Sequence, residues 1–284
     1  MAGRTIIIGD VHGCLAELQE LLKKLAVVVG RDRLIFLGDL VDRGPDSLGC
    51  VRLVQGLGAE CLLGNHEEKY LRWHRHELKK AATGKANPMH PLDGEKSALY
   101  SQFDDFDFEW MAGLPPYLEL GEHGGSEWIV VHGGFEPKKP LGAQETRKMI
   151  RCRWVNQFGK YLKINMHTKE VNGHLVLDKP EGGIRWTNLW DRPERVVYGH
   201  AVRDLEEPVC EGQTIGLDTG VAFGGHLTAF VMDTQAMPLM TVNGGPKIPG
   251  LYPEHYGSMD WMDISYIVQV PARKAYAKVM LDAT

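Results

Sequence analysis

The chain has 284 residues, 43% of them hydrophobic, enough to bury one large core with elaborations. A formal net charge of -5 gives no whole-protein attraction to nucleic acid, and nowhere do the roughly 18 consecutive apolar residues of a membrane helix occur. The first strand-like run starts at Thr5, too early for a leader, and the five scattered cysteines (Cys14, Cys50, Cys61, Cys152 and Cys210) lack CxxC spacing, so a cytoplasmic protein with reduced thiols is expected.

In chain order, Thr5-Ile6-Ile7-Ile8 is a β-branched run of the kind covered on both faces. Leu15, Leu18, Leu21, Leu22 and Leu25 recur at helical spacing, and Leu34-Ile35-Phe36-Leu37 reads as the second strand. A helix over Asp46 to Leu57, a strand at Glu60-Cys61-Leu62-Leu63 and a helix from Glu67 to Ala82 continue the alternation. The pattern predicts a mostly parallel sheet with right-handed crossovers.

After a Gly/Pro/Asn break at Thr83 to Pro91, the spacing of Leu99, Phe103, Phe106 and Trp110 predicts one helix over Lys96 to Gly113, stopped by Pro115-Pro116. Trp128 to Val131, Val196 to Tyr198, Thr214 to Leu217 and Leu227 to Met232 read as strands without long helices between them, which predicts a second, more antiparallel sheet. The expected fold is α/β, with two packed mixed sheets flanked by helices in a four-layer α-β-β-α order. One domain over 1–233 would carry a helical insertion at about 72–113 and a variable insertion at about 136–195, and the 234–284 tail would pack on it.

Six polar clusters follow strand-like runs: Gly9-Asp10-Val11-His12-Gly13, Gly38-Asp39-Leu40-Val41-Asp42-Arg43-Gly44, Gly64-Asn65-His66-Glu67, His132-Gly133-Gly134, Gly199-His200 and Asp218-Thr219-Gly220. In parallel sheets, ligands collect beyond the carboxyl ends of strands, so topology gathers these groups. Carboxylate, imidazole and amide oxygen suit hard or borderline divalent ions. Two such ions about 3.5–4 Å apart can share a hydroxide nucleophile, bind phosphoryl oxygens and shift a water from a pKa near 15.7 toward about 7. Asp10 and His12 can face one ion, Asp39 can bridge, and Asn65, His132 and His200 can complete the other. His66 stands beside a ligand without needing to be one, which suits a general acid, with Asp42 fixing its tautomer. Arg43 offers a bidentate fork to phosphate, where Asn65 also lies.

Together these clusters closely resemble the calcineurin-like metallophosphoesterases, within them the phosphoprotein-phosphatase branch, over about Thr5 to Met232. The chain looks most like bacterial and phage serine/threonine phosphatases, symmetrical diadenosine tetraphosphatases and the phosphatase domain of bacterial polynucleotide kinase-phosphatases. Val197-Tyr198-Gly199-His200 and Asp218-Thr219-Gly220 with Phe223-Gly224-Gly225 carry that likeness. The resemblance implies Asp10, His12 and Asp39 on one metal, Asp39, Asn65, His132 and His200 on the other, and His66 with Asp42 as the acid. It also implies two phosphate-binding arginines, Arg43 and a second for which Arg185 is chosen ahead of Arg153 and Arg151.

The expected activity is hydrolysis of phosphomonoesters, on phosphoprotein Ser/Thr or small phosphoesters, by a metal-bridging hydroxide. A symmetrical dinucleoside tetraphosphate hydrolase is the alternative, ahead of a nucleic-acid phosphodiesterase or 3'-phosphatase. The cofactor would be two divalent ions, Mn2+ first, with Fe, Zn, Ni or Co also compatible. The partners would be a phosphorylated protein or a small phosphate or nucleotide, with no membrane and nucleic acid disfavoured. Asp218 reads either as support for a ligand histidine or as a turn former, Cys14 as packing, and the charged face of Lys69 to Lys80 as solvated.

Overall fold

A computed structural model describes residues 3–164, 168–171, 174–232, 265–278 and 280–282. The elements run β1 (Thr5–Ile8), α1 (Leu15–Lys24), β2 (Arg33–Phe36), α2 (Ser47–Gly56), β3 (Glu60–Cys61), α3 (Asn65–Thr83), α4 (Gly94–Tyr100), α5 (Asp105–Ala112), β4 (Tyr117–His123) and β5 (Ser126–Val131). Then follow α6 (Thr146–Met149), β6 (Trp154–Val155), β7 (Tyr161–Leu162), β8 (Thr168–Val171), β9 (His174–Leu177), β10 (Ile184–Arg185) and β11 (Arg195–Tyr198). The series ends with β12 (Val209–Glu211), β13 (Thr214–Gly216), β14 (His226–Met232), β15 (Ser265–Pro271) and β16 (Met280–Asp282).

Two five-stranded sheets form the body, in the orders β15-β14-β1-β2-β3 and β12-β13-β11-β5-β4. The pleat of β1 explains why they stack. Ile6 and Ile8 face the helix layer with Leu18 and Leu21, while Ile7 points to the other sheet and meets Val130, Val197 and Ile215. All three isoleucines are fully buried, each contributing on the order of 2 kcal/mol of apolar transfer. The outer face of the second sheet is covered by Phe135 and the 136–195 segment, whose Trp186 and Trp190 pack with it on Val131, Val196 and Tyr198. Two three-stranded sheets, β10-β6-β7 and β16-β9-β8, are built largely from that segment.

The structure departs from the sequence expectation in three places. The strand expected at Leu227 to Met232 in the second sheet is β14, and it lies in the first, antiparallel to β1. The second sheet is parallel at its centre, β5–β11 and β11–β13, with antiparallel pairing only at its edges. A parallel crossover needs length rather than a helix, and the aromatic segment after His132 supplies it. The expected Lys96 to Gly113 helix is two, because Asp104 leaves helical geometry and caps α5 through Asp107 N. The tail returns to the domain: β15 pairs with β14 and β16 with β9. The rest of the expected tail, over 233–264, lies outside the described residues.

One side chain ties the loops after β2 and β3 together. The fully buried Glu67 carboxylate accepts from the backbone N–H groups of Asp39 (2.9 Å), Leu40 (2.7 Å), Val41 (3.2 Å) and Gly64 (3.1 Å). Gly64 must lack a side chain here, since a Cβ would stand 2.2 Å from Asp39 Oδ1. Glu67→Gln would present an amide N–H₂ to these donors. It is expected to destabilise the fold by on the order of 3 kcal/mol, read as a lowered urea midpoint; an unchanged midpoint would remove Glu67 as the clamp.

Candidate active site

The loops that follow β1, β2, β3, β5, β11 and β13 converge at the carboxyl edges of both sheets, so the candidate residues meet at the seam between them. Left-handed backbone is concentrated there: His12, Asp39, Asp42, Arg43 and His200 all have φ between 48° and 71°. Non-glycine residues hold this conformation only where surroundings enforce it, as Glu67 does for the Asp39 loop.

Asp39 occupies the centre. Its Oδ1 is 3.4 Å from His132 Nε2, and its Oδ2 is 3.7 Å from His12 Nε2 and 3.8 Å from His66 Nε2. Asn65 Oδ1 lies 3.2 Å from His132 Nε2. Two groups can each surround an ion, His12 with Asp39 and His66, and Asp39 with His132 and His200; within each, the ligand atoms lie within 4.8 Å of one another. Asp39 is common to both. Asp10 sits on the same floor, where both its oxygens accept the His200 N–H at 3.1 Å, and Gly199 leaves it room, since a Cβ there would lie 2.1 Å from Oδ1.

The imidazoles are pre-oriented. His12 Nδ1 donates to Val41 O at 2.8 Å and His132 Nδ1 to Leu37 O at 2.7 Å, so both Nε2 lone pairs face inward. Burial, then the charge on Arg43, holds His12 well below its ordinary pKa, and burial, then Arg153, does the same for His200. Against burial, the Asp39 carboxylate raises His132, while the imidazoles, His132 foremost, hold Asp39 well below the carboxylate range.

These residues fit divalent cations on the chemistry of the donor set. Neutral imidazole nitrogens, carboxylates and an amide oxygen face one another, and buried His200 Nε2 and Asp218 Oδ2 have no hydrogen-bond partner among the described residues. Burial, then the neighbouring Asp218, pushes Asp10 well above the carboxylate range, and burial pushes Asp218 up to about 6. So much unbalanced negative charge in one buried floor is what cations would relieve. Asp218 also closes its turn, accepting the Gly220 N–H at 3.1 Å, so both sequence readings of it find support in its contacts.

His66 stands at the mouth of this floor. Its Nδ1 is 2.6 Å from Asp42 Oδ2, and Asp42 also accepts from Tyr70 Oη. Against burial, the His66 hydrogen bond holds Asp42 down to about 2, so it stays a carboxylate and fixes the imidazole with Nε2 toward the cleft. Arg43 places Nη1 on His12 Nε2 and Nη2 3.5 Å from His66 Nε2, with its guanidinium 4.8 Å over the Phe223 ring.

Arg185 requires a correction. It is buried 3.9 Å over the Trp154 ring with Nη1 3.0 Å from Asp282 Oδ2, and it does not line the cleft. Arg153 and Arg151, the two arginines ranked behind it, do line the cleft. The strand that carries Arg185 pairs with the one that carries Trp154, and this turns the guanidinium into the aromatic layer. Three other contributors were not read from sequence. Glu67 had a signal, as the third residue of a helix starting at Gly64, and Tyr70 had a weaker one at four residues from His66. Asp282 had none, being 97 residues from Arg185.

Residues 3–226 match the calcineurin-like phosphoesterase family. A symmetrical bis(5'-nucleosyl)-tetraphosphatase of Shewanella oneidensis is 38% identical over 269 residues, 80% of this chain and 93% of that protein. An asymmetrical bis(5'-nucleosyl)-tetraphosphatase, PrpE of Oceanobacillus iheyensis, is 29% identical over 79% of this chain and 86% of its own. A crystal structure provisionally assigned as a diadenosine tetraphosphatase superposes with a TM-score of 0.65 at 26% identity, over 96% of this chain and 95% of the other. The chain belongs to the calcineurin-like phosphoesterases and is a metal-dependent phosphoester hydrolase.

Proposed function

We propose that this enzyme hydrolyses dinucleoside polyphosphates, cleaving a diadenosine tetraphosphate symmetrically, with two Mn2+ ions as cofactor. The observation that carries the reading is the cleft itself. It encloses about 280 Å³, and Arg43, Arg151, Arg153 and Lys163 line it together with Tyr161, Leu177, Phe223 and Met280. One phosphoryl group needs one or two of those cations; four of them beside aromatic and aliphatic walls suit a polyphosphate chain that ends in a nucleoside. Both relatives are named bis(5'-nucleosyl)-tetraphosphatases, and the more similar of the two, from Shewanella oneidensis, is named symmetrical. Four of the five cysteines are buried, and all are unpaired, which fits a reducing cytoplasm; no helix among the described residues is long and apolar enough to cross a membrane.

In this reading Asp10, His12 and Asp39 would hold one cation, and Asp39, Asn65, His132 and His200 the other. When bound, such a pair acidifies water and screens the phosphoryl oxygens. Arg43 presents its guanidinium fork to two of those oxygens, braced by Phe223. His66 carries a proton on Nε2 to the leaving oxygen, and the Asp42 carboxylate stabilises the imidazolium that precedes the transfer. Asn65 contributes an oxygen without charge, which avoids further repulsion of the phosphate.

Chelation with EDTA should abolish hydrolysis of p-nitrophenyl phosphate, and added Mn2+ should restore it; metal-free protein with full activity would sink the mechanism. For the substrate, metal-loaded enzyme is offered diadenosine tetraphosphate, a phosphoserine peptide and a nucleotide 3'-phosphate in parallel. The expected result is a kcat/KM at least about tenfold higher for the dinucleotide, with two ADP as products. The reverse preference would establish the phosphomonoesterase reading instead.

A further inference from the structure

Arginines in this chain are generally paired: Arg4 with Asp32, Arg33 with Glu60, Arg203 with Glu211. Arg75 on α3 and Arg147 on α6 make no ion pair among the described residues, yet both line the same two adjoining surface cavities. The smaller, about 330 Å³, is cationic, with Arg72 and Lys79 beside them. The larger, about 580 Å³, has an apolar wall of Leu63, Leu71 and Phe108, with His74 stacked on Phe108 at 3.9 Å, and carboxylates at Asp105 and Glu109.

This sequence of surfaces continues from the catalytic cleft. Asn65 in the cleft and Arg75 lie on the same helix, ten residues or about 15 Å apart along its axis. Glu68, which lines both outer cavities, is 2.5 Å from Arg151 of the cleft and 3.4 Å from Arg72, so its charge is already engaged. Arg75 and Arg147, shared by both cavities, thus join a cationic surface to an apolar one with hydrogen-bond acceptors. A nucleoside phosphate has the same polarity, with anionic oxygens at one end and a flat ring with hydroxyl and amine donors at the other.

We propose that these cavities form a second substrate subsite, which takes the distal nucleoside phosphate of a dinucleoside polyphosphate while the scissile phosphate lies at Asp39 and His66. Arg75 and Arg147 hold the outer phosphates and the Leu71–Phe108 wall takes the base. The inference rests on the dinucleotide reading above. In the variant Arg75→Ala/Arg147→Ala, KM for diadenosine tetraphosphate should rise about tenfold while kcat/KM for p-nitrophenyl phosphate stays within about twofold. If wild-type enzyme cleaves the dinucleotide and the variant keeps the wild-type KM, the subsite is wrong. If wild-type enzyme does not cleave it, the functional reading fails and the subsite falls with it.

A separate observation concerns the described end of the chain. Asp282 is 4% exposed, and its Oδ2 lies 2.9 Å from Arg153 Nε and 3.0 Å from Arg185 Nη1. Its N–H is anchored on Val202 O at 2.7 Å, and Arg153 Nη2 donates to His200 O at 2.7 Å. The geometry points to Asp282 as a positioning residue that aims Arg153, one of the cleft arginines, at substrate phosphate. Asp282→Asn would remove the carboxylate beside buried Arg185, so the test also uses Asp282→Asn/Arg185→Met, in which the Arg185 charge is gone too and the melting temperature recovers. In both variants, competitive inhibition by inorganic phosphate should weaken about tenfold with little change in kcat. Phosphate affinity restored along with the melting temperature in the double variant would overturn the assignment and leave Asp282 a purely structural partner of Arg185.

Discussion

Everything at the catalytic seam depends on one buried carboxylate meeting four amides. The Glu67 oxygens gather N–H groups from the loop after β2 and from the start of α3. Burial, then the Asp39 charge, pushes Glu67 up to about 7, and the amide donors are what favour its ionised form. The clamp also fixes Asp39, whose left-handed backbone no isolated chain would prefer. Asp39 in turn accepts the His66 N–H at 2.9 Å, so the carboxylate common to both candidate ion groups and the proposed acid share one support.

The site uses both sheets, which explains why its histidines differ in character. His12 and His66 come from the first sheet's loops and stand against Arg43 and Asp42; His132 and His200 come from the second, and of the four only His66 is not buried. Parallel strands in both sheets direct their carboxyl ends to the same edge, and only this arrangement brings loops from two layers face to face. The aromatic cover of the second sheet then has two roles. It buries the outer face of β5 and β11, and its strands carry Arg153 and Tyr161 to the cleft.

Legibility in the sequence followed locality. Asp10, His12, Asp39, Asn65, His66, His132 and His200 each sit within five residues of a strand end, in short clusters that contain glycine, so short patterns and topology were enough to bring them together. Helix α1 and strands β1 and β2 were plain for the same reason. Arg185 was misjudged because a two-residue strand pairing decides which way it points, and periodicity has nothing to say about so short an element. The placement of β14 depended on a partner at the other end of the domain, and Asp282 on a contact across nearly a hundred residues. The division of one predicted helix into α4 and α5 turned on Asp104, whose capping preference outweighed an amphipathic spacing that ran straight through it.

The order of strands in the first sheet has a consequence for how the enzyme is made. β1 precedes its second neighbour, β14, by most of the domain, and β14 is in turn flanked by β15. Until β15 docks, β14 presents seven residues of largely buried, hydrophobic character along an open edge. Such an edge invites pairing with a second nascent chain, and closing so long a loop is slow. The loops of Asp10, Asp39 and Asn65 therefore belong to a half-sheet that waits, exposed, for its last strands. Ribosome-bound or truncated forms would be expected to aggregate rather than to act as smaller enzymes.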